Sequence, residues 1–294
     1  SLQSEKKRRE LNEKLIKYTL ILAAAISILT TFGILFSILF EAIEFFQLRS
    51  FWYFLTGTIW SPGVANSQFG ALPIFAGTFV ITIIALLVAI PIGLGSAIYM
   101  SEYASPKFRD YLKPILEILA GIPTVVYGFF AAITVAPLVV KAAAFFGLEA
   151  TFNSALASGI VMGIMIIPLI SSLSDDVIRA VPDSQRKAAF ALGMTHGETI
   201  KNIVIPSAMP GIISASLLAL SSALGETMIV VMAAGLRPNL SWNPLEDMTT
   251  VTVTIVNSLV GDFEFNSPET LSAFALGLVL FIVTLILNMI SLSL

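Results

Sequence analysis

The 294-residue chain has no cysteine and a single histidine, His196. Without thiols it can form no disulfide, Cys-ligated zinc site, iron–sulfur cluster or thiol nucleophile, and one imidazole cannot build a histidine-rich metal site or a histidine pair. Charge is also scarce, 12% of residues against roughly 25% in a soluble domain. A net charge of -3 and a pI near 5.2 argue against a nucleic-acid-binding surface. No glycine directly precedes a lysine, so the phosphate-cradling G-x-x-x-x-G-K-[ST] loop is missing and the chain is not expected to hydrolyse nucleotide itself. No cofactor or metal of its own is expected.

Apolar residues dominate instead, at 56% with a mean hydropathy of +0.91. That is more apolar surface than a core of this length can hide, so the surplus must face lipid. Six apolar runs are long enough to cross about 30 Å of hydrocarbon at about 1.5 Å per helical residue. They lie near 18–40, 72–100, 115–140, 153–173, 209–235 and 271–293. The first is too long for a cleaved signal's apolar region and no small-residue cleavage pattern follows it, so it is read as a retained span.

Thirteen of the 16 Lys and Arg residues precede the first span or fall in the loops at 101–114 and 174–208, and three (Arg49, Lys141, Arg237) fall in the others. The positive-inside rule makes the N-terminus and those two loops cytoplasmic, and 41–71, 141–152 and 236–270 outward. Residues 1–17, basic at Lys6, Lys7, Arg8 and Arg9 with leucines interspersed, read as a cytoplasmic or interfacial helix. Residues 18–71 are the first span and its outer loop, and 72–294 the transmembrane domain, with 72–235 as its core. The fold class is therefore an all-α integral membrane protein of six transmembrane helices. Trp52, Trp60 and Trp242 fit an interfacial belt. Pro91, Pro123, Pro137 and Pro168 fall inside three consecutive spans, where they kink helices around a path or reflect the ordinary frequency of proline in membrane helices. Gly159 and Gly163 form a helix-packing face. Glu117, four residues after Lys113, reads as a loosely paired interface residue.

The inner loop 174–208 reads as two short helices. Pro182, Asp183 and Ser184 open the first, Gly193 closes it, Thr195 to Glu198 is a capping box for the second, and Pro206 stops the second. Within it, Lys187-Ala188-Ala189-x3-Gly193-x9-Ile203-x-Ile205-Pro206 resembles the EAA loop of ABC importer permeases, E-A-A-x3-G-x9-I-x-L-P. Small residues at 188 and 189 allow close approach to a partner groove, and the Gly turn fixes the angle to the next helix. The chain departs from the family at Lys187, where the family has Glu, and at Ile205, where it has Leu.

Further stretches resemble the phosphate-importer permeases of that family: Phe69-Gly70-Ala71-Leu72-Pro73 with Gly77-Thr78, the run Glu117–Gly128, and Ala223-Leu224-Gly225-Glu226-Thr227-Met228. The resemblance implies a type I ABC importer fold in a bacterial cytoplasmic membrane. It also implies a homologous second permease, two copies of an ATPase that binds the ATP, and an extracytoplasmic phosphate-binding protein. On the same footing Lys187, Ala188, Ala189, Gly193, Ile203 and Pro206 form the ATPase-coupling loop.

A phosphate ion leaving water needs donors, and Ser221, Ser222 and Thr227 supply hydroxyls around Glu226, with Arg237 at the outer end. The serines and threonine alternatively bond back to i−4 carbonyls. A carboxyl in an apolar span is expected to be either protonated or paired with a cation of the partner permease. The family carries an Arg where this chain has Ser222. Two other readings stay open: the same architecture for another oxyanion, such as sulfate, molybdate or phosphonate, and an ion-coupled secondary transporter using Glu226.

Overall fold

The computed structural model describes residues 2–63, 66–260, 264 and 266–293, with 2–11 described for the backbone only. The side chains of the basic run Lys6–Arg9 therefore lie outside the described residues.

The first helix, α1 (Leu2–Leu48), runs unbroken through both the basic segment and the first span, with no joint at residue 17. A short α2 (Phe51–Thr56), N-capped by the Ser50 hydroxyl, leads into a hairpin of β1 (Trp60–Ser61) and β2 (Gln68–Phe69). The two strands are antiparallel, with Trp60 opposite Phe69. Trp60 is buried against Phe54 and Phe69, so it belongs to an aromatic cluster and not to the interfacial belt. Trp52 and Trp242 remain exposed, as a belt requires.

Helix α3 (Leu72–Ile98) starts with Pro73 in its first turn, where the missing N–H costs nothing, and continues as a π turn at Tyr99–Tyr103. The inner segment after it is helical, α4 (Pro106–Ala120), N-capped by Ser105. It ends at Gly121, and Pro123 then caps α5 (Thr124–Phe130), which runs through a π turn (Ala131–Val135) into α6 (Ala136–Phe145). The third span is thus 124–145, and the expected 115–140 straddles a break. Pro123 lies at that break and not inside a span.

Helix α7 (Ala155–Ala180) is the fourth span and extends past the expected 173. A two-residue link leads to α8 (Asp183–Ala191), and α9 (His196–Thr199) passes through a π turn (Ile200–Val204) into α10 (Ile205–Leu224). Pro206 therefore does not stop a helix. The π turn just before it accommodates the lost donor, and the fifth span begins at His196, not near 209. A six-residue α11 (Met228–Ala233), the outer α12 (Val251–Val260) and the last span α13 (Pro268–Ser293) complete the chain. Among the described residues six helical stretches are long and apolar enough to span a membrane.

The centre of the fold is the α3–α7 pair. A Cβ on Gly159 would stand 2.7 Å from Ile84 Cβ, and one on Gly163 2.7 Å from the Ala85 carbonyl oxygen, so the small residues are what let the backbones meet. Around this seam Ile81, Met162, Ile166 and Ile170 pack with Tyr127 and Ala131 from the third span, Ala219 and Ala223 from α10, and Ile229 and Val230 from α11. Helix α1 lies at the outside against α13, its apolar side chains largely exposed.

Candidate functional site

Two regions hold the residues singled out by sequence: the inner loop and the break in the chain after α10.

At the inner loop, α8 ends as the Gly spacing requires. Gly193 adopts φ +82°, and the Gly193 and Met194 amides turn back onto the carbonyls of Phe190 and Ala189. The capping box is complete: Thr195 Oγ1 accepts from the Glu198 amide while Glu198 Oε2 accepts from the Thr195 amide at 2.8 Å. Ala188, Ala189, Ile203 and Pro206 line one groove of 530 Å³ together with Leu192 and Met194. Lys187 is exposed beside it. The structure thus brings Ala188, Ala189, Ile203 and Pro206 of the motif into one open groove, while Ile205 packs inward against the cluster of Val204 and Ala208.

Ion pairs brace this end. Arg109 of α4 meets Asp175 of α7 at 2.6 Å, and Lys113 meets Asp176 at 3.2 Å. Lys113 is therefore engaged away from Glu117, which is exposed. Arg186 of α8 pairs with Glu102 of the π turn after α3 at 2.8 Å. None of these pairs is legible in the sequence, since the partners are 63 to 84 residues apart.

The outer region turns on Gly225, where α10 ends. Ser221 and Ser222 occupy the last turn of α10, half-buried and exposed, and among the described residues their hydroxyls make no hydrogen bond. The bond back to the i−4 carbonyl is made instead by Ser216, to Ile212. Glu226 and Thr227 lie beyond the helix end, in the joint before α11, so the four residues do not share one helix. Among the described residues Glu226 meets no cation of this chain, and its Oε1 accepts from the Met228 amide at 2.9 Å and the Ile229 amide at 3.3 Å. It thereby supplies two first-turn amides of α11 with the acceptor they lack. The Glu226 carbonyl accepts in turn from Thr252 Oγ1 at 2.8 Å, which ties the joint to α12. Thr78 Oγ1 accepts from the Val251 amide, so a threonine of α3 fixes the start of α12. A Cβ on Gly77 would stand 2.2 Å from the Thr249 carbonyl oxygen, so only glycine fits that contact.

Arg237 is exposed in the segment between α11 and α12. That segment covers the start of α7: the Ala155 and Leu156 amides donate to the Glu246 and Pro244 carbonyls at 3.0 and 2.8 Å. Hydrogen bonds from Ser241, Asn239 and Asn243, with a smaller share from the Arg237 charge, hold the Glu246 carboxyl below its ordinary range. Among the described residues Arg237 makes no ion pair within 4 Å, and its charge is the weakest of these influences on Glu246. Thr252 and Glu246 had no sequence signal beyond their place between spans, whereas Thr78 belongs to the Gly77-Thr78 pair that carries part of the family resemblance. Among the described residues no group of three or more His, Cys, Asp or Glu is arranged to hold a metal.

Residues 89–294 match the family described as "Binding-protein-dependent transport system inner membrane component". The chain is 35% identical over 287 residues to the phosphate transport system permease protein PstC of Mesorhizobium japonicum, covering 90% of this chain and 84% of that one. It is 35% identical over 231 residues to the probable ABC transporter permease protein YqgH of Bacillus subtilis, covering 79% and 73%. Among solved structures, it superposes on a chain of a bacterial alginate ABC transporter crystallised with an alginate-bound periplasmic protein, with a TM-score of 0.62 at 14% identity over 96% of this chain and 94% of that one. A chain of the MetNI methionine ABC transporter gives 0.53 at 15% over 76% and 91%.

Proposed function

The chain belongs to the binding-protein-dependent transport system inner membrane component family, and from that premise we propose that it imports inorganic phosphate as one permease subunit of an ATP-driven complex. The similarity to permeases named for phosphate transport, over nearly the whole chain, is the observation that carries the choice of phosphate.

In this reading the chain sits in a bacterial cytoplasmic membrane with its N-terminus inside, beside a homologous second permease. Two ATPase copies dock on the inner loop and hydrolyse the ATP, and a phosphate-binding protein delivers the anion from outside. The chain needs no cofactor of its own. The groove beside Ala188, Ala189, Ile203 and Pro206, with Lys187 at its edge and the turn at Gly193, receives the motion of the ATPase. ATP binding closes the ATPase dimer, the inner loop carries the motion to the spans, and the path turns from inward-facing to outward-facing. Hydrolysis resets it.

The path itself runs past Ser221, Ser222, Glu226 and Thr227, with Arg237 near its outer end. The free hydroxyls of Ser221 and Ser222 support this, because an anion that sheds water needs donors not already engaged. Glu226, held by main-chain amides, shapes the joint and contributes no free donor.

Competition decides the substrate. Radiolabelled phosphate uptake by the assembled complex with its binding protein is expected to persist in tenfold excess sulfate, molybdate or phosphonate and to be diluted by unlabelled phosphate. Displacement by one of the other anions would reassign the substrate to it and leave the architecture standing.

A further inference from the structure

Helix α8 is joined covalently to α7 through Val181-Pro182 and to the fifth span through the turn at Gly193, φ +82°. Neither link reaches α3. Arg186 provides that connection. Its guanidinium donates to the carbonyls of Ile178, at 2.9 Å, and Val181, at the end of α7, and to Glu102 Oε1 at 2.8 Å. Arg186 and Glu102 side chains are only 16% and 6% exposed. The fork caps the end of α7, adding a donor to the Ile178 carbonyl, which also accepts from the Val181 amide at 3.4 Å, and supplying one to the Val181 carbonyl, and its charge is balanced where neither partner is well hydrated.

Glu102 lies in the π turn that ends α3, and its main-chain carbonyl is 3.1 Å from His196 Nε2, which donates in the Nε2–H tautomer. The His196 ring stacks on Phe190 of α8 and meets Tyr103 edge to face. The ends of α3 and α7 and helix α8 therefore meet at the Arg186 and Glu102 side chains, and the start of the fifth span joins them through the Glu102 main chain. Asp183 stands 3.6 Å from Arg186 and is largely exposed, and Arg109, Asp110 and Arg179 line the same cavity as the pair.

We propose that the Arg186–Glu102 pair is the mechanical link through which movement of the inner loop reaches α3 and α7, making both positioning residues for transport. The proposal rests on the ATP-driven importer reading. A pair that only stabilised the fold would lower the amount of complex and leave the stoichiometry of transport unchanged. A link sets how much anion moves per ATP.

The test uses the complete complex in proteoliposomes, with phosphate as the probe, and reads phosphate taken up per ATP hydrolysed. Arg186→Gln and Glu102→Gln are expected to retain basal ATP hydrolysis while the ratio falls at least tenfold and stimulation by loaded binding protein disappears. Arg186→Lys, which keeps the charge and loses the fork, is expected to fall between them and the unsubstituted chain. Should Arg186→Gln fail to assemble, the near-isosteric Glu102→Gln decides alone. An unchanged ratio in Glu102→Gln, with ATP-driven uptake intact in the unsubstituted complex, overturns the link only. ATP-independent uptake by the unsubstituted complex overturns the importer reading, and the link with it.

Discussion

Glu226 shows what a single residue type can and cannot disclose. A carboxyl in an apolar run of sequence invites protonation or an ion pair with a partner subunit, and beyond that expectation the chain breaks beside it and presents two amides, at 2.9 and 3.3 Å. Glu226→Ala would remove the acceptor from both, and loss of such a helix-start cap at a partly exposed site costs about 0.5–2 kcal/mol. The variant is therefore expected to melt earlier and to transport little. Glu226→Gln keeps an acceptor oxygen and is expected to melt within a degree or two of the unsubstituted chain, with thermal unfolding in detergent as the check. Equal destabilisation by both would deny the capping role.

Glu246 makes a pH prediction of defined sign. Its carboxyl is held below the ordinary value, so its contribution to the outer segment is complete above the unfolded value of about 4.5 and is lost as pH falls through the lower folded one. Hydrogen-exchange protection at 239–247 is expected to be flat from pH 7 to about 5 and to decline below about 4.5. Protection that declines instead between pH 7 and 5 would place the controlling group elsewhere.

At the scale of elements, the sequence discloses a helix better than its ends. Hydropathy located six spans and the Gly159/Gly163 face, because a lipid-facing helix must be apolar throughout and a close crossing must be small. It misplaced the third and fifth spans for opposite reasons. Gly121-Ile122-Pro123 is apolar enough to read as helix but breaks it, whereas Pro206 reads as a stop but is absorbed by the π turn at 200–204. The same device precedes Pro137, after the π turn at 131–135. The motif residues of the inner loop were legible because they are local. The ion pairs that brace that loop were not, because they join distant segments. Gly159→Val would force side-chain atoms into Ile84 across the α3–α7 seam, where overpacking costs about 1–3 kcal/mol. The expected result is a lower melting temperature and reduced yield of complex. The same change at Gly95, whose Cβ would meet nothing within 4 Å, is expected to escape that steric cost.

The whole molecule is a set of spans packed around the α3–α7 pair, with α1 exposing its apolar side chains outside it and an apolar groove opening on the inner loop. In the proposed import cycle the energy for transport comes from an ATPase pressing on that groove. A secondary transporter with the same spans would draw on an ion gradient instead. The decisive measurement is phosphate uptake into proteoliposomes holding this chain, the second permease and the ATPase, with binding protein outside. ATP is supplied or withheld inside, and an ionophore collapses all ion gradients. ATP-driven import requires uptake that stops without ATP or without binding protein and survives the ionophore. Uptake that continues without ATP and is abolished by the ionophore would contradict it.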